Sequence, residues 1–82
     1  MQMTDIILMN GRCRIRRELQ PYEVTVISVW YQIGEGSPFS RCGEWIIPFM
    51  TPQEEAKVIK YAINKAVRAI TAGDKRREKT LG

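Results

Sequence analysis

Histidine is absent from this 82-residue chain. The commonest general base is therefore missing. Cysteine is scarce. Cys13 and Cys42 form no CxxC pair, and no histidine is available to complete a zinc site with them. No apolar run approaches the ~20 residues that cross a bilayer. No basic segment followed by a long apolar stretch opens the chain, as it would in a secretory signal. The expectation is a cytoplasmic protein with no membrane partner.

Signs of catalysis are equally thin. Ser37 and Ser40 sit in a loop with no evident activating base. The loop Gly34-Glu35-Gly36-Ser37 lacks both the lysine and the following helix of a phosphate-binding loop. No neighbour that would activate a thiol is identifiable beside either cysteine. No pair of acids is placed by a recognisable motif. The sequence thus predicts no catalytic residue, no metal, no cofactor and no small-molecule substrate. A disulfide between Cys13 and Cys42 requires their strands to lie side by side. Otherwise they read as two small, half-buried hydrophobes.

What is present is ordinary globular composition, 44% hydrophobic and 27% charged. The length allows one domain, read as residues 1–73, followed by a basic, disordered tail over 74–82. Residues 1–4 read as a lead-in and 5–9 as a first strand. Asn10-Gly11 is a hairpin signal of the type I′ kind, which needs positive φ at both central residues. The returning strand, 12–19, alternates. Cys13 and Ile15 fall on one face, and Arg12, Arg14 and Arg16 on the other.

Pro21 breaks that strand. The segment 23–33 is dense in β-branched and aromatic residues and predicts a third strand. A glycine- and proline-rich loop, 34–40, leads to a fourth, 41–49, centred on Trp45, Ile46 and Ile47. Thr51-Pro52-Gln53-Glu54 combines a capping box with proline at the first helical position. Val58, Ile59, Ala62, Ile63, Ala66, Val67 and Ile70 then recur at helical spacing, with Gly73 as an expected stop. The fold class is α+β: a three- to four-stranded antiparallel meander followed by one long C-terminal amphipathic helix packed on one face.

The third strand is apolar on both faces. Thr25, Ile27, Val29, Tyr31 and Ile33 lie on one; Val24, Val26, Ser28, Trp30 and Gln32 lie on the other. One helix covers only one face. The second must be covered by curling of the sheet, by a second copy of the chain, or by another partner.

The net charge is +4. Residues 1–50 carry five arginines and five acids, while 51–82 carry eight bases and four acids, so the excess lies on the helix and tail. A basic helix face is commonly only a solvated face, and acids early with bases late suit the helix dipole. The arginine strand spaces its guanidiniums ~6.6–6.8 Å apart. Such a row suits phosphates or carboxylates, or simply protects a sheet edge.

Strands followed by one amphipathic helix in a basic chain resemble the layout of small DNA-binding domains, the plant AP2 type and the arm-binding domain of tyrosine recombinases. In those, the sheet face opposite the helix enters the major groove; here that face reads as apolar rather than basic. Double-stranded-RNA-binding domains open with a helix that this chain lacks. Small size and a basic tail also suit accessory proteins of phages or mobile elements, which act by binding a host protein.

Two functions follow. The first is a non-enzymatic, homodimeric protein-interaction module that binds and modulates another macromolecule through Val24, Val26 and Trp30, with Phe39 as a loop anchor. The second is a nucleic-acid-binding module in which Arg12, Arg14 and Arg16 join Lys57, Lys60 and Arg68 on phosphates.

Overall fold

A computed structural model describes residues 1–73 in full and, beyond them, only the backbone of the last helix as far as Leu81. Four strands, β1 (Gln2–Leu8), β2 (Gly11–Gln20), β3 (Val24–Gln32) and β4 (Ser40–Pro48), form one antiparallel sheet in the order β1-β2-β3-β4. The helix α1 (Pro52–Leu81) packs across one face. This is the predicted meander and helix.

The alternation of β2 decides which face is which. Cys13 and Ile15 are buried beneath the helix, and the arginines between them are not. Antiparallel partners share a face, so the register extends the buried side across the sheet. Cys13 lies opposite Ile6 and Tyr31, Ile15 opposite Val29, and Ile27 opposite Trp45. The helix lays Val58, Ala62, Ala66 and Ile70 onto this floor. These residues repeat every fourth position and make one stripe. Two alanines at its centre let the helix backbone approach the sheet closely.

The helix starts where the capping box predicts. The Glu54 amide donates to Thr51 Oγ1 at 3.2 Å, and the Thr51 amide donates to Glu54 Oε1 at 3.3 Å. Arg17 Nε donates to Glu55 Oε1 at 2.5 Å, tying β2 to the first helical turn.

Several local expectations are corrected. Residues 1–4 are not a lead-in: β1 begins at Gln2, because β2 is long enough to give Gln2 a partner in Arg17. The hairpin exists, but its two-residue loop is Met9–Asn10, and neither Asn10 nor Gly11 has positive φ. Gly11 is instead the first residue of β2. A Cβ there would sit 2.2 Å from the carbonyl oxygen of Gln32. Gly73 does not stop the helix, whose bounds pass it. A Cβ at Gly73 would lie 2.2 Å from Ile33 Cδ1, so this glycine admits a loop side chain against the helix. The disordered basic tail expected over 74–82 falls outside the fully described residues.

The cysteines are both free. β3 lies between their strands. Neighbouring strands are about 4.8 Å apart, so strands two apart hold their Cα atoms about 9.6 Å apart. A disulfide needs about 4.4–6.8 Å. Cys13 is fully buried rather than half-buried, and burial pushes its thiol up to about 11.

Candidate interaction face

The sheet face away from the helix is built from β1 Met3, Asp5 and Ile7, the β2 arginines, the even-numbered residues of β3, and β4 Arg41, Glu44 and Ile46. Its floor is apolar, as β3 predicts. Its covering is charged. Asp5 accepts from Arg14 Nε at 2.8 Å and from Arg14 Nη2 at 3.0 Å, and Arg12 approaches the same carboxylate at 3.8 Å. Arg16 bridges to Glu18 at 3.2 Å. Arg41 pairs with Glu44, and the Ser28 hydroxyl points at Glu44 Oε2, 3.5 Å away.

These side chains lie over the apolar floor. Long stems of arginine cover carbon surface while the head groups reach the acids, although Arg16 Nε is buried without a hydrogen-bond partner. Val26 and Ser28 are consequently buried within one copy of the chain, although no helix covers them. The Arg14 guanidinium stacks on Phe39, 4.0 Å from the ring centroid, and Arg41 stands 6.0 Å from the Trp30 ring. Met3, Arg14, Arg16, Trp30 and Phe39 line a shallow groove of about 210 Å³. The loop residue Phe39 and the strand residue Trp30 are thus brought together, as lids on the arginines.

The predicted interface residues therefore divide. Val24, Trp30 and Phe39 are half-buried, and Val26 belongs to the covered floor. The apolar side chains that stay outside are elsewhere on this face. Met3 is 54% exposed, Ile7 79% and Ile46 62%. Met3 and Ile7 flank Asp5 on β1, the edge strand. Sequence reading missed this row because it began the strand at residue 5 and so left Met3 out of it. Alternation over the whole of β1 is the signal that finds it.

The predicted nucleic-acid residues divide as well. Arg12, Arg14 and Arg16 are on the open sheet face, whereas Lys57, Lys60 and Arg68 are exposed on the outer side of the helix layer. Sheet and helix lie between the two sets. On the open face, four arginines (Arg12, Arg14, Arg16, Arg41) meet three acids (Asp5, Glu18, Glu44), and all seven are in ion pairs. Hydrogen bonding from Arg14 holds the Asp5 carboxyl below its ordinary 3.8 against an opposing effect of burial, and the charges of Arg14 and Arg12 make smaller additions to the lowering.

At the end of the sheet nearest the helix start, three non-glycine residues adopt left-handed backbone: Tyr22 (φ 65°), Glu23 (φ 56°) and Phe49 (φ 51°). The Phe49 amide donates to the Glu23 carbonyl at 2.9 Å, and the Tyr22 and Phe49 rings are exposed. Fixing residues there costs about 1–3 kcal/mol each. Among the described residues, no three His, Cys, Asp or Glu side chains are grouped to hold a metal ion. No helix among them is long and apolar enough to cross a membrane.

Comparison with protein-family models, curated proteins and solved structures finds no match to this chain.

Proposed function

We propose that the chain is a non-enzymatic protein-interaction module that works as a homodimer and binds and modulates another macromolecule. The observation that carries this reading is the contrast within the open face. Its four arginines are paired with three acids, Asp5, Glu18 and Glu44, leaving a net charge of only one, while Met3, Ile7 and Ile46 remain unpaired apolar groups in water. An arginine beside a carboxylate draws a phosphate less strongly than a bare one, because the acid offsets its charge. An exposed apolar side chain gains on contact without such an offset. Val24, Trp30 and Phe39 would extend the contact from the edge toward the middle of the face. An accessory role of the phage or mobile-element type, in the cytoplasm, suits this reading.

The second reading, nucleic-acid binding, is favoured by one observation. Lys57, Lys60 and Arg68 are exposed together on the outer helix layer. It no longer includes the arginine strand in the same contact, since that strand faces the opposite way.

Light scattering coupled to size exclusion separates the two, run on the protein alone and with a short DNA duplex, at low and high salt. The expected result is a particle of twice the 9.5 kDa chain mass that ignores both duplex and salt. A monomer that shifts with duplex only at low salt would overturn the interaction reading and favour the helix bases, because phosphate contacts weaken steeply with salt.

A further inference from the structure

The two edges of the sheet are not alike. β4 ends on Pro48 and carries Arg41 and Glu44. Its register with β3 slips at Val29/Trp30, where a bulge places an extra residue in the strand. Proline, charge and bulges are the devices that keep a sheet edge from pairing with another chain. β1 has no proline and no bulge, and its single charged residue, Asp5, is already paired with Arg14. Its seven residues, Gln2–Leu8, contain no proline, no lysine and no arginine, and they pair with β2 in unbroken register. Its outer side presents a straight row of main-chain donors and acceptors about 24 Å long, at about 3.4 Å per residue.

From this asymmetry, and resting on the interaction reading above, we infer that the β1 edge is the binding site for the β1 edge of a second copy. Antiparallel pairing of the two strands would join the sheets into one of eight strands. Identical edges paired across a twofold axis make a closed contact, in which the same surface is used on both sides. What remains outside is the two blunted β4 edges, so growth stops at two.

The side chains support a second copy as the occupant. The register with the longest overlap places the axis at Asp5. Antiparallel partners share a face, so Met3 of one copy meets Ile7 of the other on the open side, twice. On the helix side Thr4 meets Ile6, and Gln2 meets Leu8. The two Asp5 carboxylates then stand near each other at the axis. Each already carries the Arg14 fork at 2.8 and 3.0 Å, with Arg12 at 3.8 Å. Four guanidiniums around two carboxylates remove the repulsion that two bare acids would suffer. The acidic residue at the axis is therefore no obstacle to pairing two copies.

The test compares Ile7→Lys with Ile46→Lys. Both residues are exposed on the same open face, one on each edge strand, so each substitution leaves the folded chain's core untouched. Mass is read by light scattering, and amide hydrogen exchange is read along β1. The expected result is a wild-type dimer with slow exchange at the outward amides of β1. Ile7→Lys should halve the mass and release those amides while keeping its circular dichroism spectrum; Ile46→Lys should stay dimeric. A dimer that survives Ile7→Lys would overturn the edge inference and leave the interaction reading standing. Loss of the dimer in both variants would point to packing through the middle of the open face and also overturn it. A wild-type monomer would overturn the edge pairing and the homodimer together, as would one whose β1 binds only the extended peptide of another protein.

Discussion

Asp5 and Arg14 face each other across the first hairpin, and both oxygens of the carboxylate accept from the guanidinium, at 2.8 and 3.0 Å. This one pair does three things. It ties the edge strand to its neighbour, it fixes the guanidinium that stacks on Phe39, and it offsets the charge that would draw a phosphate to Arg14.

Asp5 makes stability depend on pH with a defined sign. Its folded value lies below its ordinary 3.8. A carboxyl lowered by folding stabilises the native state fully above the unfolded value, and that contribution is lost as pH falls through the folded value. Asp5→Asn should therefore be less stable than the wild type at neutral pH and lose less stability on acidification. Urea unfolding of both proteins from neutral pH down to about pH 2 measures the slope; parallel curves would remove the role given to this pair.

The core is thin enough to be sensitive to single truncations. Ile27 is 1% exposed and faces Trp45 beneath the helix. Ile27→Ala should cost about 2–5 kcal/mol and Ile27→Val about 0.5–1.5 kcal/mol. In a domain this small the alanine variant approaches the whole expected stability. Thermal unfolding should show a lowered midpoint for valine and no cooperative transition for alanine.

Glycine-to-alanine changes at positions 11 and 73 should differ in kind. At Gly11 the new Cβ meets the main-chain oxygen of Gln32, which cannot move without disturbing the sheet. Gly11→Ala should cost about 1–3 kcal/mol. At Gly73 it meets only the tip of the Ile33 side chain. Shortening that side chain opens the space, so Ile33→Val with Gly73→Ala should exceed Ile33→Val alone by up to about 1 kcal/mol, the difference between alanine and glycine inside a helix. Denaturant midpoints of the four proteins decide it.

Cys13 should be inert to alkylation in the folded protein. It is fully buried, and burial, with a smaller effect from Cys42 and then Asp5, raises its thiol to about 11. Burial likewise raises Cys42, against an opposing pull from Lys65. Iodoacetamide at mildly alkaline pH should modify Cys42 slowly and Cys13 only on unfolding, as peptide mass spectrometry would show. Rapid labelling of Cys13 in native buffer would contradict the packing.

Much of this architecture is legible locally. Alternation in β2 separates Cys13 and Ile15 from the arginines without reference to any other strand. The Thr51–Glu54 capping box marks the helix start, and the spacing of Val58, Ala62, Ala66 and Ile70 marks its buried stripe, because both depend on neighbours within a turn or two. The apolar character of both faces of β3 is also plain in the residues. What covers the second face is not. Glu18 and Glu44 pair with arginines two and three residues away on their own strands, but only the β1–β2 register places Asp5 within reach of Arg12 and Arg14. Gln2 becomes a strand residue because β2 supplies Arg17 opposite it. Gly11 and Gly73 look like turn and stop signals, yet each answers to a group distant in sequence, the Gln32 carbonyl and the Ile33 side chain. The separation of the arginine strand from Lys57, Lys60 and Arg68 belongs to the layering of sheet and helix. Local propensity and period set the elements; packing across long sequence distances decides which charges are spent inside the molecule and which surfaces are left to meet another.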